Sequence, residues 1–120
     1  MKTDTELSEL DAWIAGHVMG IEVIEIRLET FYDDVRVKVD STKPHLALPE
    51  YTTDPAAAMQ VLEKCVERVP VTVFKGIRDG WQAQSYDETR ADWCIEIRKA
   101  ATLPLAICLF ARELFKEDNQ

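Results

Sequence analysis

Apolar residues recur at three- and four-residue spacing from about Thr5 to Met19, where Leu7, Leu10, Ile14 and Val18 share one helical face. Glu6, Glu9 and Asp11 fill the first turns, as suits the positive end of a helix dipole, and Gly20 supplies a stop. The period then changes to two. "IEIRLE" at 24–29 alternates Ile24, Ile26 and Leu28 with Glu25, Arg27 and Glu29. "VRVKVD" at 35–40 alternates Val35, Val37 and Val39 with Arg36, Lys38 and Asp40. Such alternation predicts half-buried strands, and "TFYDD" between them is short enough for a hairpin. The polar faces carry both signs of charge, so cross-strand ion pairs are expected.

Residues 41–53 hold two prolines and no period, which predicts a loop. Asp54 then offers an N-cap oxygen, and Pro55 fits the first helical position because its missing N–H is not needed there. Three alanines favour helix and permit close packing. Met59, Leu62, Cys65 and Val66 are expected as its buried stripe, and Pro70 ends it. "VTVFKGI" at 71–77, a turn at Asp79-Gly80 and "WQAQSY" at 81–86 predict a second hairpin. After "DETRA", the segment "WCIEIRK" at 93–99 alternates again, with Trp93, Ile95 and Ile97 on one side. Pro104 starts a last helix whose broad apolar face is Leu105, Ala106, Leu109, Phe110 and Leu114, and the final "KEDNQ" is expected to fray.

The order is therefore α-β-β-α-β-β-β-α, an α+β fold of mainly antiparallel strands packed by three helices. At 120 residues without a linker or repeat, the chain reads as one domain, 1–120. The cleanly alternating strands imply one wet sheet face. Either the helices gather on one side, or these strands are peripheral, or a second subunit covers the polar side; the first two are preferred.

Charge changes the picture more than composition does. The net charge is −8, which disfavours nucleic acid as a partner. Residues 1–60 hold 12 acidic and 5 basic side chains, a balance of −7; residues 61–120 hold 10 and 9, a balance of −1. The first half could thus present an acidic face to a basic partner, or be simply solvated. No apolar run approaches the ~20 residues of a membrane span. The N-terminus lacks the pattern of a secretory signal, so a cytoplasmic protein is expected. Cys65, Cys94 and Cys108 have neither disulfide nor zinc spacing, and read as buried thiols. No metal or cofactor is expected.

Candidate chemistry is sparse. His17 sits one turn after Trp13 near the end of the first helix, His45 lies in a loop, and Asp33–Asp34 reads as turn chemistry. A triad drawn from Ser41 or Ser85 with either histidine has no elbow or oxyanion motif behind it. The four glycines form no phosphate-binding loop. No catalytic residue is assigned. Arg78, Trp81, Tyr86, Arg90 and Trp93 combine arginines and aromatic rings near turns, a set that could stack a base and hold a phosphate. The competing reading makes the tryptophans core residues and the arginines snorkelling side chains.

Three segments, "LDAWIAGHVMG" at 10–20, "YTTDPAAAMQVLEK" at 51–64 and "LPLAICLFAREL" at 103–114, together resemble the phage ABA sandwich domain, a family of small phage and prophage proteins. The resemblance rests on Val18, Met19 and Gly20, on Tyr51, Thr53 and Asp54, and on Ala106, Ile107 and Cys108. Pro55 departs from it, standing where an aliphatic residue is common. It implies an α/β sandwich and a phage or prophage origin, and it brings no activity to transfer. Two functional expectations follow. One is a non-enzymatic accessory protein that binds a host or phage protein, a counter-defence inhibitor being one version; the other is a nucleotide-like ligand binder. A homodimer is compatible with either.

Overall fold

The computed structural model describes residues 4–29, 34–44, 46–78, 80–86 and 94–116. His45, Asp79, Arg90, Trp93, most of the first hairpin connection and the "DETRA" turn lie outside the described residues, as do the last four positions. Helices α1 (Asp4–His17), α2 (Pro55–Val66) and α3 (Leu103–Lys116) and strands β1 (Val23–Glu29), β2 (Asp34–Asp40), β3 (Thr72–Gly76), β4 (Gly80–Tyr86) and β5 (Cys94–Ala100) follow the expected order.

The antiparallel strands divide into two sheets, a β1–β2 ribbon and a β3–β4–β5 meander. α3 lies at the centre. Pro104, Leu105, Ala106, Ile107, Cys108, Phe110, Ala111, Leu114 and Phe115 are all buried, and the helix packs on α2, β4, β5 and α1. A helix apolar around most of its circumference has to be central, because only the narrow stripe of Arg112, Glu113 and Lys116 suits water. Ala83 of β4 and Ile95 of β5 join this core, whereas Thr72, Phe74, Glu96 and Arg98 on the alternate positions are exposed. The helices therefore gather on one face of the meander, and the alternation of its strands is the trace of a solvated outer face.

α1 ends two residues before the periodicity does. The amides of Val18 and Met19 both donate to the Ile14 carbonyl, at 2.9 and 3.0 Å, and Ile21 donates to Ala15 at 2.9 Å. Gly20 makes the turn with φ +72°, a conformation that costs a residue bearing a Cβ. α2 begins as expected: the Asp54 carboxylate accepts the Ala56 amide at 3.0 Å, with Pro55 at the first helical position.

The expected buried stripe of α2 needs correction. Cys65 is buried and Leu62 half-buried, but Met59 and Val66 are 48% and 54% exposed. Ala57, Ala58 and Val61 are buried in their place. Small side chains let the α2 and α3 backbones approach closely, and that gain in contact outweighs burying one long methionine.

The meander is closed by a bulge. Ala83 pairs with Ile97 but Trp81 pairs with Ala100, so β5 carries one extra residue, and Lys99 takes φ +61° there. Gly80 faces this corner with φ +69°; a Cβ on it would meet the Ala100 carbonyl oxygen at 2.7 Å.

The β1–β2 ribbon keeps unbroken register, with Ile24 opposite Val39, Ile26 opposite Val37 and Leu28 opposite Val35. Opposite charges stand across from each other at one rung. Glu25 faces Lys38, but Arg27 faces Arg36 and Glu29 faces Asp34. The register that aligns the apolar residues fixes the charged ones with it, because both sets ride on one period-2 backbone. The ribbon meets the rest of the molecule chiefly where β1 touches α1. A 120-residue chain of ordinary shape has a radius of gyration of about 14 Å. Here it is 15.8 Å, within extents of 56 × 31 × 24 Å. The molecule is elongated.

Candidate functional site

Among the described residues, polar groups gather where α1, the ribbon and the segment before α2 meet. A groove of about 420 Å³ lies there, lined by Glu9, Asp11, Glu25 and Glu50, by Arg36 and Lys38, and by Ser8, Val37, Ala47, Leu48 and Pro49. A second hollow of about 480 Å³ shares Glu9, Glu25 and Lys38 and runs along α1 past Trp13, Gly16 and His17 to Val23 and Ile24. Four carboxylates against two cations make the groove acidic, in keeping with the imbalance of the first 60 residues.

Its inner wall is a tie between elements. The Asp11 carboxylate accepts the Thr52 amide at 2.8 Å, joining α1 to the approach to α2. Burial pushes the Asp11 carboxyl above the usual carboxylate range; the Thr52 amide and hydroxyl oppose this shift and Glu50 adds to it. The Thr52 hydroxyl is close enough to favour the ionised form but has no partner in hydrogen-bond geometry, although Thr52 is 1% exposed. Tyr51 next to it is buried, and its carbonyl accepts the Cys108 thiol of α3 at 3.2 Å. Burial raises the Tyr51 phenol above its ordinary value, with the Asp11 charge as the next cause.

"YTTD" is thus a junction. Tyr51 reaches α3, Thr52 reaches α1 and Asp54 starts α2. Asp11 was legible in the sequence only as a first-turn carboxylate, yet it belongs to the apolar stripe Leu7–Asp11–Ile14–Val18. A carboxylate on a core-facing position signals a buried donor opposite.

Of the five aromatic and basic residues expected at a ligand site, Arg78, Trp81 and Tyr86 fall among the described residues. Arg78 is exposed just after β3 and Trp81 is half-buried at the start of β4. Tyr86 ends the same strand five residues later, about 17 Å away at 3.3–3.4 Å per residue. Arg90 and Trp93 lie outside the described residues. Trp81 packs against the core, as the competing reading has it.

The remaining sequence candidates are scattered. His17 stacks on Trp13 with ring centroids 4.5 Å apart, and Ser41 donates to Glu22 at 3.1 Å at the ribbon's base. Ser85 is buried in β4, its hydroxyl without a partner. Cys65 and Cys108 are buried free thiols, each pushed up to about 12 by desolvation. Among the described residues no group of three or more His, Cys, Asp and Glu side chains converges to hold a metal ion. No described helix is long and apolar enough to cross a membrane.

Comparison with known proteins agrees with the fold. The sequence profile of the phage ABA sandwich domain matches residues 12–111. The chain is similar in fold to a phage protein from Bacillus cereus ATCC 14579, known from a 2.0 Å crystal structure. The TM-score is 0.64 and the identity 21%, over 94% of this chain and 90% of that one. No curated protein matches the sequence.

Proposed function

The chain belongs to the phage ABA sandwich domain family, and from that premise we propose that it is a phage or prophage accessory protein of the host cytoplasm that works by binding a host or phage protein. The groove between α1, the ribbon and residues 47–50 receives a basic segment of that partner. One observation carries the reading: Glu9, Asp11, Glu25 and Glu50 are gathered on one concavity in the acidic half of the chain. A single exposed ion pair contributes only about 0.2–1 kcal/mol. Several in a shared groove, with field lines focused by the protein walls, steer and hold a cationic segment. Inhibition of a host defence protein is one form that such binding takes.

The test is affinity capture from lysate of susceptible host cells over a series of salt concentrations. The wild-type chain is expected to retain a partner that elutes as salt rises. A Glu9→Lys/Glu50→Lys variant is expected to lose it, while Glu63→Lys on the exposed side of α2 keeps it. Capture that ignores the groove substitutions, or an empty eluate at every salt, removes the proposal.

A second reading, capture of a nucleotide-like ligand, draws on Arg78 and Trp81 lying three residues apart where β3 gives way to β4. A nucleotide at 100 times its Kd would add about 2.7 kcal/mol of stability, so thermal-shift screening separates the two readings.

A further inference from the structure

β1 has a strand on one side only; its other edge carries none among the described residues. Backbone alternation shows what that edge offers. The Ser41 amide donates to the Glu22 carbonyl at 2.9 Å, which makes Glu22–Ser41 a hydrogen-bonded rung. In an antiparallel pair such rungs alternate, so Ile24, Ile26 and Leu28 bond to β2. Val23, Glu25, Arg27 and Glu29 direct their N–H and C=O groups outward. The strand is regular, with no proline, glycine or bulge to blunt it.

We propose that this edge pairs with the β1 edge of a second copy of the chain, antiparallel and centred on Ile26, giving a continuous β2–β1–β1–β2 sheet. The sequence of β1 is self-complementary about that residue. Glu25 falls opposite the second copy's Arg27 and Arg27 opposite its Glu25. Ile24 falls opposite Leu28, and Ile26 opposite itself. The rungs that exchange backbone hydrogen bonds in this register are Val23–Glu29 and Glu25–Arg27, the residues whose backbone groups point outward. Parity also keeps Ile24, Ile26 and Leu28 of both copies on one face, so the apolar ladder of each ribbon continues into the other.

β2 carries the opposite instruction. Folded on itself about Val37, it sets Arg36 against Lys38 and Asp34 against Asp40, like charges at every charged rung. One edge of the ribbon is thus built to accept its own copy and the other to refuse it. A two-stranded ribbon is marginal in water and gains stability from further strands, which supplies the driving force. The contact is isologous, as a two-fold dimer requires. The edge and the acidic groove share Glu25, but the two readings fail separately: Glu9→Lys/Glu50→Lys alters the groove and leaves β1 unchanged, whereas Arg27→Glu alters the edge at a residue outside the groove lining.

The experiment is sedimentation of the full chain over a range of concentrations, together with cross-linking. Wild type is expected to show a reversible monomer–dimer equilibrium. Arg27→Glu turns both oppositely charged rungs into like-charged ones and is expected to weaken the dimer by about ten-fold or more. Glu25→Arg/Arg27→Glu exchanges the two charges and is expected to restore it. Ile26→Cys, a change that leaves the charges alone, is expected to form a disulfide with itself under mild oxidation faster than Thr72→Cys on the exposed outer face of the meander. A chain that stays monomeric at its highest soluble concentration overturns the proposal and leaves the edge to a foreign strand. So does a dimer indifferent to Arg27→Glu whose Ile26→Cys form cross-links no faster than Thr72→Cys.

Discussion

Asp11 is the residue on which the most physical chemistry converges. It holds the Thr52 amide at 2.8 Å while its own charge is partly desolvated. Asp11→Ala strands that amide and is expected to cost about 1–3 kcal/mol in denaturant unfolding. Asp11→Asn keeps an acceptor and removes the charge, so it is expected to cost less. The pH dependence has a definite sign. The folded-state carboxyl is raised above its ordinary value of 3.8, so its ionisation disfavours the fold. The contribution of Asp11 is most favourable below 3.8 and is lost as pH rises through the raised value. Stability of wild type relative to Asp11→Asn should therefore decline across that window and stay flat above it; a difference that grows with pH contradicts the assignment. Burial of the two thiols gives a second expectation. With both pushed up to about 12, Cys65 and Cys108 should resist alkylation at pH 8 until the protein unfolds, as read by peptide mass mapping. Rapid labelling of either in the native protein would show that α3 is not packed as described.

Elements show where pattern reading succeeds and where it stops. α2 stops at Val66, before the expected end at Pro70, whereas the boundaries of β1 and β2 and the start of α2 follow from period, cap and Pro55, all of which are local. The buried face of α2 does not, because Met59 and Val66 are as hydrophobic as the residues that displaced them. Met59→Ala is expected to change stability by no more than about 0.5 kcal/mol, whereas Ala58→Leu overpacks the α2–α3 contact and costs about 1–3 kcal/mol. Equal effects in thermal unfolding would return Met59 to the core. At the bulge, Gly80→Ala combines a positive φ with a Cβ 2.7 Å from the Ala100 oxygen. Neither neighbour is a flexible side chain, so a loss above about 1 kcal/mol in the same assay is expected. A neutral substitution there would mean the corner can open.

For the whole molecule, two sheets of unequal support replace one. The meander lies against α3, while the ribbon rests on α1 near its base. Amide exchange in the ribbon of a dilute, monomeric sample is expected to be faster than in β4 and β5, and to slow as concentration rises. Equal protection at low concentration would imply that the ribbon is braced by contacts within its own chain.

The sequence by itself determined the elements, their order, the helix start at Asp54 and the family, because periodicity, capping and turn chemistry act over a few neighbouring residues. It also showed, without structure, that the first half is acidic. Tertiary structure alone decided the division into two sheets, the face α2 buries, and the meeting of Asp11, Thr52, Tyr51 and Cys108. It also decided the gathering of four carboxylates on one groove and the packing of Trp81 against the core. Those outcomes depend on how closely whole backbones approach one another, a quantity set by the sum of many weak contacts and written in no single stretch of the chain.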